Sequence, residues 1–119
     1  MSSIRSYRDL FIWQKSMDLV TDIYQITYKF PKEEIYGLTS QIRRSAVSVP
    51  SNIAEGYGRN STGDYKRFLQ ISLGSLYELQ TQLEISFRLN YLPEDNFKKL
   101  QITALEIEKM MNSLISKIK

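Results

Sequence analysis

Apolar residues recur along this chain at steps of three and four, and each run of them predicts a helix. The first run is Leu10, Trp13, Met17, Val20 and Tyr24, the seam of a bundle helix; a second set at Ile12, Leu19, Ile23, Ile26 and Phe30 widens it. Helix 1 is therefore expected over about 8–29, with more than one side buried. Pro31 ends it, because proline disfavours helical geometry in the residue before it and has no N–H to donate.

The second run places Ile35, Leu38, Ile42, Ala46, Val49 and Ile53 on one narrow arc, giving a helix over about 33–57 whose first acids, Glu33 and Glu34, suit the positive end of its dipole. Pro50 falls inside this pattern. A restart there, with Asn52 and Glu55 as a capping box, is one option. The spacing stays in phase across Pro50, which favours a continuous helix kinked at that residue. Opposite the core arc lie Ser40, Arg44, Val47, Ser48, Ser51, Ala54 and Glu55. Side chains this small let another backbone come close, so the face is expected to pack on a neighbouring subunit; a plain polar face is the alternative.

Gly56-Tyr57-Gly58 offers glycines for a left-handed helix end, and Asn60, Ser61 and Thr62 offer the next helix its cap, with Asp64 three residues after Ser61. So short a connection predicts that helices 2 and 3 run antiparallel. Helix 3, about 62–90, puts Tyr65, Leu69, Leu73, Leu76, Leu83 and Phe87 on its core arc and Arg67, Ile71, Gly74, Glu78, Gln82, Ile85 and Leu89 on the other. Folding the pair back about Arg59 brings Arg44 near Ser75 and Glu78. An Arg44–Glu78 ion pair in or beside a subunit interface is the expected result. Helix 4, about 94–118, opens on Pro93, Glu94 and Asp95 and carries Phe97, Leu100, Ala104, Ile107, Met111, Leu114 and Ile118 without a miss. The pattern predicts an all-α, antiparallel up-down-up-down four-helix bundle in one domain spanning 1–119.

Composition narrows the chemistry. The 119 residues include no cysteine and no histidine, which removes disulfides, thiol nucleophiles and a side chain that titrates near neutrality. No Glu-x-x-His pair exists for a carboxylate-bridged metal site, and no GxxxxGK[ST] follows the Gly56/Gly58 pair. No catalytic residue, metal or cofactor is expected, and the chain is read as a non-enzyme. The opening residues lack the apolar stretch of a secretory signal, and no apolar run approaches the roughly 20 residues needed to cross a bilayer. A cytoplasmic protein with no membrane partner is the expectation.

Charge is more informative by position than in total. The segment from Arg43 to Arg67 carries Arg43, Arg44, Arg59, Lys66 and Arg67 against Glu55 and Asp64, which leaves 11 of the 16 basic and 11 of the 13 acidic residues for the rest of the chain. The whole net charge of +3 therefore sits in one segment, which hints at an anionic partner. Arg43, Arg59, Lys66 and Arg67 are the candidate phosphate contacts on RNA or DNA, and Tyr57 and Tyr65 are either base-stacking rings or packing. Arg44, Ser48, Ser51, Glu55, Ile71, Gly74 and Glu78 are the candidate oligomer-interface or ion-pair residues. A protein-interaction scaffold or accessory subunit without nucleic acid fits the two-faced helices equally well.

Trp13-Gln14-Lys15, the long run Leu38-x-x-Gln41-x-Arg43-Arg44-Ser45-Ala46-x-Ser48-x-Pro50-x-Asn52-Ile53-Ala54-Glu55-Gly56-Tyr57-Gly58-Arg59, and Phe68-Leu69-x-Ile71-Ser72-x-Gly74-Ser75-x-x-Glu78-Leu79 resemble the bacterial four-helix-bundle family first noted as proteins encoded in intervening sequences of 23S rRNA genes. The resemblance covers nearly the whole chain. It extends to accessory variability determinant, the basic pentameric helper of diversity-generating reverse transcriptases, which binds nucleic acid and the polymerase. The resemblance implies a homo-oligomer, a pentamer, with RNA, DNA or a protein such as a reverse transcriptase as partner. It implies no activity.

Overall fold

The computed structural model describes residues 4–118, and those residues form four α-helices and two short 3-10 turns, with no strand among them. The helices are α1 (Phe11–Thr27), α2 (Leu38–Tyr57), α3 (Thr62–Arg88) and α4 (Glu94–Lys117). At about 1.5 Å rise per residue α3 is roughly 40 Å long, which sets the 45 Å long axis of the molecule.

One continuous core joins all four helices. Ile12, Leu19 and Ile23 of α1 meet Ile42, Ala46, Val49 and Ile53 of α2, Leu69, Leu76, Leu79 and Leu83 of α3, and Leu100, Ala104, Ile107 and Met111 of α4. Phe30 and Leu92, from the two connections that meet at one end of the molecule, close the core there. The arcs predicted for α2 and α4 face the core, with Leu38, Phe97, Leu114 and Ile118 partly buried at its edge and Ile35, ahead of α2, exposed. In α1 the roles of the two stripes are exchanged: Ile12, Leu19 and Ile23 are buried, while Met17 and Tyr24 are exposed. Both stripes have helical spacing, so the choice was made by what packs against them and not by the period.

Helix ends depart from expectation for local reasons. α1 starts at Phe11 because a 3-10 turn, Tyr7–Asp9, precedes it; there the Asp9 carboxylate accepts from the backbone of Arg5 at 2.8 Å and of Ser6 at 3.2 Å. α2 starts at Leu38, five residues later than expected from about 33. Lys32–Glu34 is only a 3-10 turn, and the Glu34 side chain curls forward so that its Oε1 accepts the Leu38 N–H at 3.0 Å. A Cβ on Gly37 would stand 2.8 Å from that oxygen, so glycine is what lets the carboxylate pass.

The expected left-handed glycine after α2 is not there. No glycine has positive φ among the described residues; Gly58 sits at φ −81° and Gly56 is buried inside α2. Gly56 instead marks the closest approach of α2 to α3, where an added Cβ would lie 2.7 Å from Phe68 Cβ. The left-handed residue closes α3: Asn90 has φ 64°, and Tyr91 N–H reaches back to the Ser86 carbonyl at 2.9 Å, a Schellman-type end. At the start of α3 Ser61 caps the Asp64 N–H at 3.1 Å, one of the three caps the spacing offered.

α2 runs through Pro50 as one helix. Its neighbours lend it partners. The Ser72 hydroxyl donates to the Val49 carbonyl at 2.8 Å, Asn52 Nδ2 donates to the Ser48 carbonyl at 2.8 Å, and the Ser48 and Ser75 hydroxyls share a hydrogen bond of 2.8 Å. Pairs across the α2–α3 seam thus run in opposite numerical order: Ser45 with Gln82, Ser48 with Ser75, Val49 with Ser72, Gly56 with Phe68.

Candidate nucleic-acid interface

The tip of the α2–α3 hairpin gathers three of the four predicted phosphate contacts. Arg59 ends the last turn after α2, and Lys66 and Arg67 lie on the first turns of α3, so the four-residue connection brings them together. Both guanidinium groups settle on one ring: Arg59 lies 4.7 Å and Arg67 5.3 Å from the centroid of Phe68. A cation over an aromatic face is worth about 0.5–1 kcal/mol where water has access. Each arginine also has an acid within reach, Glu55 at 2.7 Å from Arg59 and Asp64 at 3.8 Å from Arg67. Both pairs are exposed, and exposed pairs contribute about 0–1 kcal/mol. Lys66 is half-buried and has no ion-pair partner among the described residues.

Behind the cluster, Tyr57 and Tyr65 pack edge to face at 6.1 Å, both half-buried. Burial, and then the neighbouring Tyr57, push the Tyr65 hydroxyl above its usual pKa of 10.0. Of the two readings for this pair, packing describes the geometry.

Arg43 does not join the tip. It lies roughly 20 Å back along α2 at the helical rise, anchored to α1 through Thr27 and Tyr24. Proximity in a charge tally ignored the length of the helix between. Phe68, which organises the tip, went unnoticed as a functional residue. Its signal was present: an aromatic directly after Lys66-Arg67 and facing the turn that holds Arg59.

The predicted interface residues occupy the outer α2–α3 face. Arg44, Ser51, Glu55, Gly74 and Glu78 are exposed, Ile71 is 44 % exposed, and Val47 beside them is 39 % exposed. A Cβ added to Gly74 would meet nothing within 4 Å. Ser48 sinks into the seam with Ser75. Within the chain the Arg44–Glu78 ion pair does not form. Ser48, not Arg44, stands opposite Ser75, and Glu78 accepts from Gln82 Nε2 at 3.1 Å instead.

Among the described residues no group of three or more acidic, histidine or cysteine side chains could hold a metal ion, and no helix is long and apolar enough to cross a membrane.

Residues 8–113 match the model of a family described as 23S rRNA-intervening sequence protein, and the chain belongs to that family. Among solved structures, the chain is similar to a crystal structure of a protein of unknown function from the S23 ribosomal protein family of Bacteroides thetaiotaomicron VPI-5482. The identity is 24%, the TM-score is 0.82, and the likeness covers 89% of this chain and 96% of that one. At that identity the likeness speaks for the shared helical fold. No curated protein matches the chain.

Proposed function

For a chain of the 23S rRNA-intervening sequence protein family, we propose a non-enzymatic role: an oligomeric, cytoplasmic helical bundle that holds the backbone of RNA or DNA on the basic tip of its α2–α3 hairpin. In this reading the four helices form one up-down-up-down antiparallel domain, with α2 bent at Pro50. The observation that carries it is the Phe68 ring with Arg59 and Arg67 upon it, on the same first turns of α3 that carry Lys66. Guanidinium groups held over a ring keep N–H donors for phosphate oxygens, and the exposed acids beside them are weak competitors.

Self-association multiplies the effect, because each copy adds a tip to the same polyanion. The surface for it is the outer α2–α3 face, where Val47 and Ile71 flank the small residues Ser51 and Gly74. Arg44 and Glu78, unpaired with one another within the chain, meet across copies in this reading. A pentamer follows from the family resemblance.

Mobility of a labelled RNA or DNA fragment tests the reading. Affinity should fall with salt at a log-log slope of about 0.9 per phosphate neutralised on duplex DNA, and replacing Arg59, Lys66 and Arg67 by glutamine should abolish binding. Binding that survives the triple replacement removes the tip from the account. A second reading, a protein-interaction scaffold or accessory subunit that meets a partner such as a reverse transcriptase, draws support from apolar side chains outside the tip: Tyr36 is 96 % exposed and Ile102 stands out on α4. No binding by the native protein at low salt favours that second reading.

A further inference from the structure

Where α1 hands over to α2 the surface opens into a cleft of about 500 Å³, far from the hairpin tip. Its walls are mainly apolar, built from Tyr28, Phe30, Pro31 and Ile35, and its volume falls within the range of about 300–1,000 Å³ usual for small-molecule sites. Four polar side chains interrupt the walls, Thr27, Lys32, Thr39 and Arg43, and the last two carry donors that the fold does not use.

The first is Arg43. Its Nε donates to Thr27 Oγ1 at 2.9 Å, Thr27 passes its own proton to the Ile23 carbonyl at 2.7 Å, and the guanidinium lies 4.7 Å from the centroid of Tyr24. The group is thereby fixed in orientation, while its two terminal nitrogens have no partner among the described residues. The second is Thr39, which is 3 % exposed and whose hydroxyl has no hydrogen-bond partner among the described residues. The hydroxyl keeps some accessible surface, and the cleft is the surface that Thr39 lines.

We propose that this cleft binds a small monocarboxylate with an apolar or aromatic body. The two carboxylate oxygens match the two free nitrogens of a planar guanidinium, with the Thr39 hydroxyl as a further donor. Lys32 adds a second positive charge at the mouth. The Glu34 carboxylate is held by the Leu38 N–H and the Tyr91 hydroxyl and does not line the cleft. A bare phosphate would leave the apolar walls unused, and an uncharged apolar ligand would leave Arg43 and Thr39 unsatisfied.

The probe is 3-phenylpropanoate, titrated into the isotopically labelled protein while backbone amide shifts are followed. Shifts should concentrate at Ile35, Thr39 and Arg43, saturating with a Kd on the order of 1 mM for a ligand of this size. The neutral 3-phenylpropanamide should bind at least about tenfold more weakly, as should the acid to R43Q. T39V should weaken the acid several-fold without lowering the melting temperature, because it removes a hydroxyl that the unliganded fold does not use. Equal binding of acid and amide overturns the proposal, as does saturation without shifts at Thr39 and Ile35, or no binding at tenfold above the expected Kd.

Discussion

The Ser45 hydroxyl donates to Gln82 Oε1 at 2.7 Å inside the buried seam of α2 and α3. Gln82 is held in turn by Glu78, so one amide ties the hydroxyl of one helix to the surface of the other. Replacing Ser45 by alanine strands a buried carbonyl oxygen and should cost about 1–3 kcal/mol. S45A combined with Q82L should recover most of that loss. Chemical denaturation of the three variants checks the sign and the recovery.

Gly56 and Gly74 should respond oppositely to the same change. G56A drives a methyl to within 2.7 Å of Phe68 Cβ and should cost about 1–3 kcal/mol as the helices part. G74A meets open space in the middle of a helix and should raise the stability of a single bundle by about 0.5–1 kcal/mol. If Gly74 lies against another copy, the same methyl weakens the assembly. Thermal melting and light scattering on G74A therefore separate the two effects.

Glu34 and Gly37 should be coupled. E34A uncaps the Leu38 N–H and releases the Tyr91 hydroxyl, at about 1–2 kcal/mol. G37A alone forces the carboxylate off its cap, so most of its cost should vanish once Glu34 is gone. A double-mutant cycle with additive losses would contradict the capping geometry.

Alkaline pH should weaken the fold through two tyrosines. The Tyr91 hydroxyl is raised above its usual pKa of 10.0 first by its hydrogen bond to Glu34, and Tyr65 first by burial. A raised tyrosine favours the protonated, folded form, so this stability is whole below about pH 10 and is lost as pH climbs through the higher folded value. Y91F and Y65F should each flatten the decline in a denaturation series from pH 8 upward, relative to the native protein.

The number of helices and most of their buried arcs were legible because period alone carries them: Ile42, Ala46, Val49 and Ile53 on α2, and Leu100 through Met111 on α4. What escaped depended on contacts distant in sequence. Gly56 read as a turn residue because nothing in its neighbourhood announces Phe68, twelve positions later. The late start of α2 depends on a side chain folding over a glycine, which dipole arguments do not foresee. At the candidate site the cationic segment was plain from the charge tally, yet its division into a tip and a separate Arg43 needed the helix laid out in space. Thr39 gave no signal at all, since a hydroxyl that lines a cleft is visible only once its surroundings are known.

The bond from Ser72 to the Val49 carbonyl, next to Pro50, also bears on how the protein breathes. Because the Val49 carbonyl of α2 takes a donor from α3 next to Pro50, where the ladder of α2 is one N–H short, the middle of α2 is tied to its neighbour at its weakest point. Amide protons on both sides of that bond should trade with deuterium at one common rate, the two helices opening as a single door.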